Sequence, residues 1–184
     1  SKKIYALRLN SQYLFSAGAD KTIQMRNPST LALLHSLQAH SDCIWSLSLR
    51  GNLLFSCSDD RTIKMWDVLS RTCVKTLQDE RDSKYLCVAV GSSFICAGTD
   101  DCKINLWSLQ TGEFERALTG HRWEVWQLTI DRGLLFSGSF DHSIKVWDLS
   151  TFTCVKTLAG HTGYIHALCI PEPNVIISGG GDKL

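Results

Sequence analysis

Apolar and polar positions alternate in short runs along the whole chain. In residues 62–67, Ile63, Met65 and Asp67 fall on one face and Lys64 and Trp66 on the other. Strict alternation of this kind predicts a strand. Asp59-Asp60-Arg61 supplies a tight turn before it, and Arg50-Gly51-Asn52 and Asp131-Arg132-Gly133 are short polar links suited to hairpins. Residues 72–77 and 153–158 share the string Thr-Cys-Val-Lys-Thr-Leu and read as another strand. One further strand departs from period two. Its apolar positions are Ile4, Leu7 and Leu9, then Ile44, Leu47 and Leu49, then Val125, Leu128 and Ile130, then Ile165, Leu168 and Ile170. The step is three and then two. A β-bulge moves the facing by one residue and gives that step, so a bulge is predicted near the start of this strand in every unit.

The runs recur at a fixed period. Residues 53–67 read Leu-Leu-Phe-Ser-Cys-Ser-Asp-Asp-Arg-Thr-Ile-Lys-Met-Trp-Asp, and residues 134–148 read Leu-Leu-Phe-Ser-Gly-Ser-Phe-Asp-His-Ser-Ile-Lys-Val-Trp-Asp. Weaker copies occupy 13–27 and 94–108, and a fifth begins at Val175. The turn aspartates Asp20, Asp60, Asp101, Asp141 and Asp182 are separated by 40, 41, 40 and 41 residues. Such a period means a repeat architecture. Residues 1–184 therefore divide into approximate repeats 1–37, 38–77, 78–118 and 119–158 and a truncated 159–184. Each reads as four short strands, and the fold class is all-β.

The strings Gly120-His121, Gly160-His161 and Ala39-His40, paired with Trp66-Asp67 and Trp147-Asp148, resemble the WD40 repeat family over the whole chain. The interval from His40 to Trp66 is 26 residues, and from His121 to Trp147 it is again 26. The resemblance implies a β-propeller, each blade a four-stranded antiparallel sheet. On this reading four to five blades are present as a fragment of a seven-bladed ring, because the chain opens on Ser1 and stops at Leu184 where the next strand and its Trp are due. A four-bladed ring is the alternative.

A His, a Ser and an Asp recurring together could suggest a nucleophilic triad. Their recurrence in each repeat argues for structure instead, since an enzyme needs one triad. The resemblance implies a hydrogen-bonded tetrad across each blade: His40, Ser56, Asp60 and Trp66; His121, Ser137, Asp141 and Trp147; and His161, Ser178 and Asp182 in the last repeat. Ser58 and Ser139 are alternatives for the serine. The first repeat keeps Ser16 and Asp20 but has Arg26-Asn27 for Trp-Asp. The third keeps Asp101 and Trp107 but has Glu80 for the His, Ala97 for the Ser and Ser108 for the final Asp. Weaker blades are expected at those two.

By analogy with the family, residues flanking the bulge and preceding the turn Asp face partners. They are Tyr5, Trp45, Asp59, Asp100, Arg122, Trp123, Glu124, Trp126, Phe140, Tyr164 and His166. Trp and Arg are enriched at interface hot spots. The plainer reading of Trp45 and Trp126 is packing against the neighbouring repeat. Trp123, one step outside the strand, is expected to be exposed. The run Asp79-Glu80-Arg81-Asp82, with Asp59, Asp100 and Asp101, makes the middle repeats locally acidic and could receive a basic peptide.

Composition narrows the function. The chain is 44% hydrophobic and 20% charged with a formal net charge of +1, so no basic footprint for nucleic acid is visible. No apolar stretch is long enough for a membrane helix. The eight cysteines form no CxxC pair and most sit in apolar runs, as in Cys73-Val74, so reduced, buried, structural thiols of an intracellular, cytoplasmic protein are expected. No phosphate-loop, zinc or other cofactor fingerprint is present. The expectation is a non-catalytic scaffold that binds a protein or peptide, with no cofactor. The style of the repeats resembles propellers of F-box and of RING and TRAF-type zinc-finger ubiquitin ligases, which would make it a substrate receptor. A signalling or RNA-processing scaffold, or an enzyme with a site at the channel mouth, are the alternatives.

Overall fold

A computed structural model describes residues 2–38, 40–80, 82–172 and 175–182. Ala39 of the Ala39-His40 motif, Arg81 of the acidic run, and the chain ends Ser1 and Lys183-Leu184 lie outside the described residues. All regular structure among the described residues is β-strand. The chain divides into two compact units, one up to Tyr85 and one from Leu86 onward.

In the first unit, β1 (Ile4–Leu9), β2 (Leu14–Gly18), β3 (Thr22–Arg26) and β4 (Leu33–Gln38) form one sheet in chain order. β5 (Ile44–Arg50), β6 (Leu53–Ser58), β7 (Ile63–Asp67) and β8 (Thr72–Leu77) form the next. β9 (Tyr85–Val90) begins at the boundary. In the second unit it is followed by β10 (Phe94–Thr99), β11 (Lys103–Ser108) and β12 (Phe114–Thr119), again in one sheet. β13 (Val125–Asp131), β14 (Leu134–Ser139), β15 (Ile144–Asp148) and β16 (Thr153–Leu158) form the fourth sheet, and β17 (Ile165–Glu172) pairs with β18 (Val175–Gly180).

The first strand carries its bulge where the step of three fell. The register shifts between Ile4 and Ala6, Ile44 and Ser46, Val125 and Gln127, and Ile165 and Ala167. The residues thrown out of the ladder are therefore Tyr5, Trp45, Trp126 and His166. A second irregularity has no counterpart in the sequence reading. In the outermost strand, Met65 faces Lys75 while Trp66 faces Cys73, which leaves Val74 as an extra residue. Leu34, Glu115 and Val155 are extra in the same way. Bulges increase local twist, so the first, second and fourth sheets are twisted at both of their outer strands.

Within each unit the core lies between consecutive sheets. In the first, Ile44 and Leu47 of β5 pack on Phe15 and Ala17 of β2 and are fully buried. Complete burial of such side chains is worth about 1.5–3 kcal/mol each. In the second, Val125 and Leu128 of β13 pack with Cys96 and Leu135. The third sheet lacks the His and Ser of the repeat, and Ile95, Ala97, Leu106 and Trp107 are buried there instead.

The turns are built alike. Lys21, Arg61, Cys102 and His142 each follow the turn Asp and take φ between 66° and 68°, the left-handed region. The Asp side chain accepts the amide N–H two residues on, as Asp60 Oδ1 does from Thr62 at 3.0 Å and Asp141 Oδ1 from Ser143 at 2.9 Å. The Asp after the Trp is also a turn acceptor: Asp67 takes the Ser70 N–H at 2.7 Å. Asn27 takes the Ser29 and Thr30 N–H groups at 2.9 Å, and Ser108 takes that of Thr111 at 3.2 Å. Any short side-chain acceptor serves, so Asn27 and Ser108 keep the turn that the repeat pattern assigned to Asp.

The thiols need a correction. Cys57, Cys87 and Cys96 are buried, but Cys73, Cys154 and Cys169 are exposed. Cys73 and Cys154 sit on β8 and β16, the outermost strands, whose apolar-looking runs face solvent. All eight are free thiols.

Close approach between sheets sets one demand on the sequence. A Cβ at Gly98 would lie 2.5 Å from the Val125 carbonyl oxygen and 2.6 Å from Cys87 Sγ. Gly98→Ala is therefore expected to destabilise the chain by about 1–3 kcal/mol. Equilibrium urea unfolding measures this, and an unchanged midpoint would contradict the packing described.

Candidate functional site

Each complete His-Ser-Asp-Trp set forms one continuous chain of hydrogen bonds. Trp66 Nε1–H donates to Ser56 Oγ at 3.0 Å, Ser56 Oγ meets His40 Nε2 at 2.7 Å, and His40 Nδ1 meets Asp60 Oδ2 at 2.8 Å. The fourth sheet repeats it, with Trp147 to Ser137 at 2.8 Å, Ser137 to His121 at 2.6 Å and His121 to Asp141 at 2.7 Å. In the last repeat His161 meets Ser178 at 2.8 Å and Asp182 at 2.6 Å. Between the alternatives, Ser56 and Ser137 hold the Trp and His. Ser58 and Ser139 bond elsewhere. They accept the N–H of Asp60 and Asp141, both at 3.0 Å, and Ser139 donates to the Trp123 carbonyl at 3.0 Å.

Burial and electrostatics follow from this arrangement. Ser56 and Ser137 are wholly buried. Burial raises the Asp141 carboxyl, but hydrogen bonds from Ser143, the Arg122 N–H and His121 outweigh it and hold the group down to about 2. Asp60 is depressed further against burial by His40, Thr62 and the Ser41 N–H. Burial pushes the His121 imidazole below its ordinary 6.5, against the upward pull of Asp141. The ring is thus neutral, with Nδ1 carrying the proton toward Asp141 and Nε2 accepting from Ser137.

Above this frame sit the candidate partner-facing residues, brought together differently in the two units. In the first, the Tyr5 and Trp45 rings lie 4.4 Å apart. Asp59 faces Lys84 at 3.5 Å, and Asp82 pairs with Arg61. Those two carboxylates of the acidic middle are therefore already neutralised. The donor atoms of Asp42, Cys43 and Asp59 lie within 4.8 Å of one another, and Lys21 stands 3.8 Å from Asp42 and Lys84 3.5 Å from Asp59.

In the second unit the aromatic residues form a stack. Trp126 lies on Phe140 at 5.1 Å and Phe140 on Tyr164 at 4.2 Å, nearly parallel in both pairs. His166 meets the edge of Phe140 at 5.7 Å. Trp126 is thus half-buried against Phe140 of its own repeat, and it is Phe140 that meets Tyr164 of the next. Trp123 is 58% exposed, and Arg122, Tyr164 and His166 are exposed too. Asp100 is exposed and Glu124 half-buried.

Two contributors are absent from the sequence reading. His142 stands 5.5 Å from Tyr164, and Gln127 Nε2 donates to the His166 carbonyl at 2.8 Å. His142 is within reach of sequence reasoning, since it follows the turn Asp in the repeat where Phe140, just before that Asp, is a candidate by position.

A family model described as "WD domain, G-beta repeat" matches residues 31–67, 71–108, 112–148 and 152–184. A stretch of 55 residues, 29% of this chain, is 44% identical to the nuclear distribution protein nudF of Aspergillus flavus and spans 12% of its length. The nudF protein of Aspergillus oryzae matches to the same extent. Among solved structures, the crystal structure of the computationally designed Ika8 protein superposes with a TM-score of 0.86 at 27% identity, over 98% of this chain and 56% of that one. The chain thus spans about half the length of that structure.

Two outcomes test the buried network. Trp147→Phe leaves the Ser137 hydroxyl without its donor and should cost about 1–3 kcal/mol in urea unfolding. The folded His121 pKa lies below the unfolded 6.5, so the stability this residue contributes is complete above about pH 6.5 and falls as the solution is acidified. The depressed Asp141 adds a further loss between its ordinary 3.8 and about 2. His121→Gln should therefore be less stable at neutral pH and lose less stability than wild type between about pH 7.5 and about pH 5.5. Equal slopes in the two proteins would show that the imidazole is not buried neutral.

Proposed function

The chain belongs to the WD40 repeat family, and from that premise we propose that it is a non-catalytic scaffold holding a protein or peptide partner. The observation that carries this reading is the separation of buried polar groups from exposed aromatic ones. Every His-Ser-Asp set is spent on tying strands together, while Trp123 and Arg122 stand exposed in the second unit, as do Tyr164 and His166 of its aromatic cluster. Large rigid rings with a guanidinium nearby are the groups that carry binding energy at interfaces. Tyr5 and Trp45 supply a second, smaller aromatic pair in the first unit.

The finer reading is a substrate receptor of a ubiquitin ligase, supported by the style of its repeats. An assembly scaffold with no ligase link is the second reading, favoured by the likeness to nudF, whose name is nuclear distribution protein. Among the described residues no helix is long and apolar enough to cross a membrane. Eight free thiols suit the reducing cytoplasm, which we propose as the compartment.

Affinity capture with the chain and with its Trp123→Ala and Tyr164→Ala variants tests the proposal. Each variant should lose roughly tenfold or more of the specific partner signal and keep the wild-type melting temperature. Undiminished capture by both variants would remove this face as the binding site. Ubiquitination of the captured partner in cells would select the ligase reading over the assembly scaffold.

A further inference from the structure

In the second, fourth and fifth sheets two positions of the repeat are joined by a backbone bond. The residue before the turn Asp donates its N–H to the carbonyl of the residue two places before the bulge: Asp59 to Cys43 at 3.0 Å, Phe140 to Glu124 at 3.0 Å, Gly181 to Tyr164 at 2.9 Å. The same two positions also meet between consecutive repeats, and their side chains there are complementary. Asp59 meets Lys84 as an ion pair, and Phe140 meets Tyr164 as a ring stack. By the same repeat relation, Asp100 and Glu124 occupy these positions between the third and fourth repeats. Both are carboxylates. A cation that the first unit supplies internally, in Lys84, has no counterpart at this place in the repeat pattern.

Glu124 carries the mark of that mismatch. Its Oε2 is buried and has no hydrogen-bond partner among the described residues. A carboxylate oxygen withdrawn from water without a partner is costly, and the cost falls when a cation is brought to it. The neighbouring thiol reports the local field. Burial first, and then the charges of Glu124, Asp101 and Asp141, push the Cys102 thiol up, against a smaller opposing pull from Lys103. Asp101 and Asp141 are engaged by Lys103 and His121, respectively. Trp123 precedes Glu124 in the chain and is exposed, and Phe140, whose N–H bonds the Glu124 carbonyl, stacks with Trp126 and Tyr164. Aromatic faces favour a cationic head and cover the methylene stem that carries it.

We propose that Glu124 receives an arginine or lysine side chain from a basic segment of the partner, in the role that Lys84 plays toward Asp59. The inference rests on the reading of this face as the interaction surface and adds the chemistry of what is bound. Charge complementarity selects the occupant: a neutral or acidic segment leaves the half-buried Glu124 carboxylate without a counter-charge.

The test pans the full chain against a random-peptide phage library. Peptides selected by the wild type should share Arg or Lys at one position. Replacing that Arg by citrulline, its uncharged isostere, should weaken binding roughly tenfold or more, and Glu124→Gln should cost a similar factor. Combining the two changes should add little, and Glu124→Lys should select acidic residues at the same position. The citrulline arm needs no protein variant, so it stands whether or not a Glu124 variant folds. Selected peptides that lose affinity with Trp123→Ala yet show no basic preference would overturn the cation site and leave the face intact. Peptides indifferent to both Trp123→Ala and Glu124→Gln, or no selected peptide at all, would overturn both.

Discussion

The second and fourth sheets are each tied together by a hydrogen-bond chain whose two ends have a fixed sense. An indole N–H can only donate and an ionised carboxylate can only accept. Between Trp147 and Asp141, a neutral imidazole with Nδ1–H toward Asp141 lets the Ser137 hydroxyl accept from the indole and donate to His121 Nε2. Buried polar networks help only when every member is satisfied, and this one is. It spans the sheet from the third strand, through the second, to the segment entering the first.

The turn Asp extends that chain into the loops. One oxygen of Asp141 binds His121 Nδ1 and the Arg122 N–H, while the other binds the Ser143 N–H and hydroxyl. Ser139, two residues before, holds the Trp123 carbonyl. The backbone that presents Arg122, Trp123 and Glu124 is thus pinned from below by groups that never reach a partner. Little ordering cost is left for binding, which is the advantage of a preorganised surface.

Much of this was legible in the sequence, because the period of about 40 residues and the three-then-two step are physical consequences of the sheet and its bulge. The bulge in the outermost strand was not. There, Val74 and Val155 are exposed extras in runs that read as ordinary alternation, and a strand with solvent on its outer side has no hydrophobic pattern to register the insertion. The same exposure explains why Cys73 and Cys154 read as buried when they are not. The sequence named Ser56 but left Ser58 open, since both are buried hydroxyls and both are bonded, to different partners. The partner-facing set came from repeat position. How its members divide between internal packing and free surface depends on what the next repeat offers, as Asp59 with Lys84 and Phe140 with Tyr164 show.

The bulged residue has a bearing on how such a chain can change over generations. Tyr5, Trp45, Trp126 and His166 occupy one structural address, yet none belongs to the pairing ladder that sets the register. Copying a repeat therefore duplicates the architecture in full, while the protruding side chain remains open to drift and selection on its own. Novelty in recognition can accumulate at that address without renegotiating the scaffold beneath it.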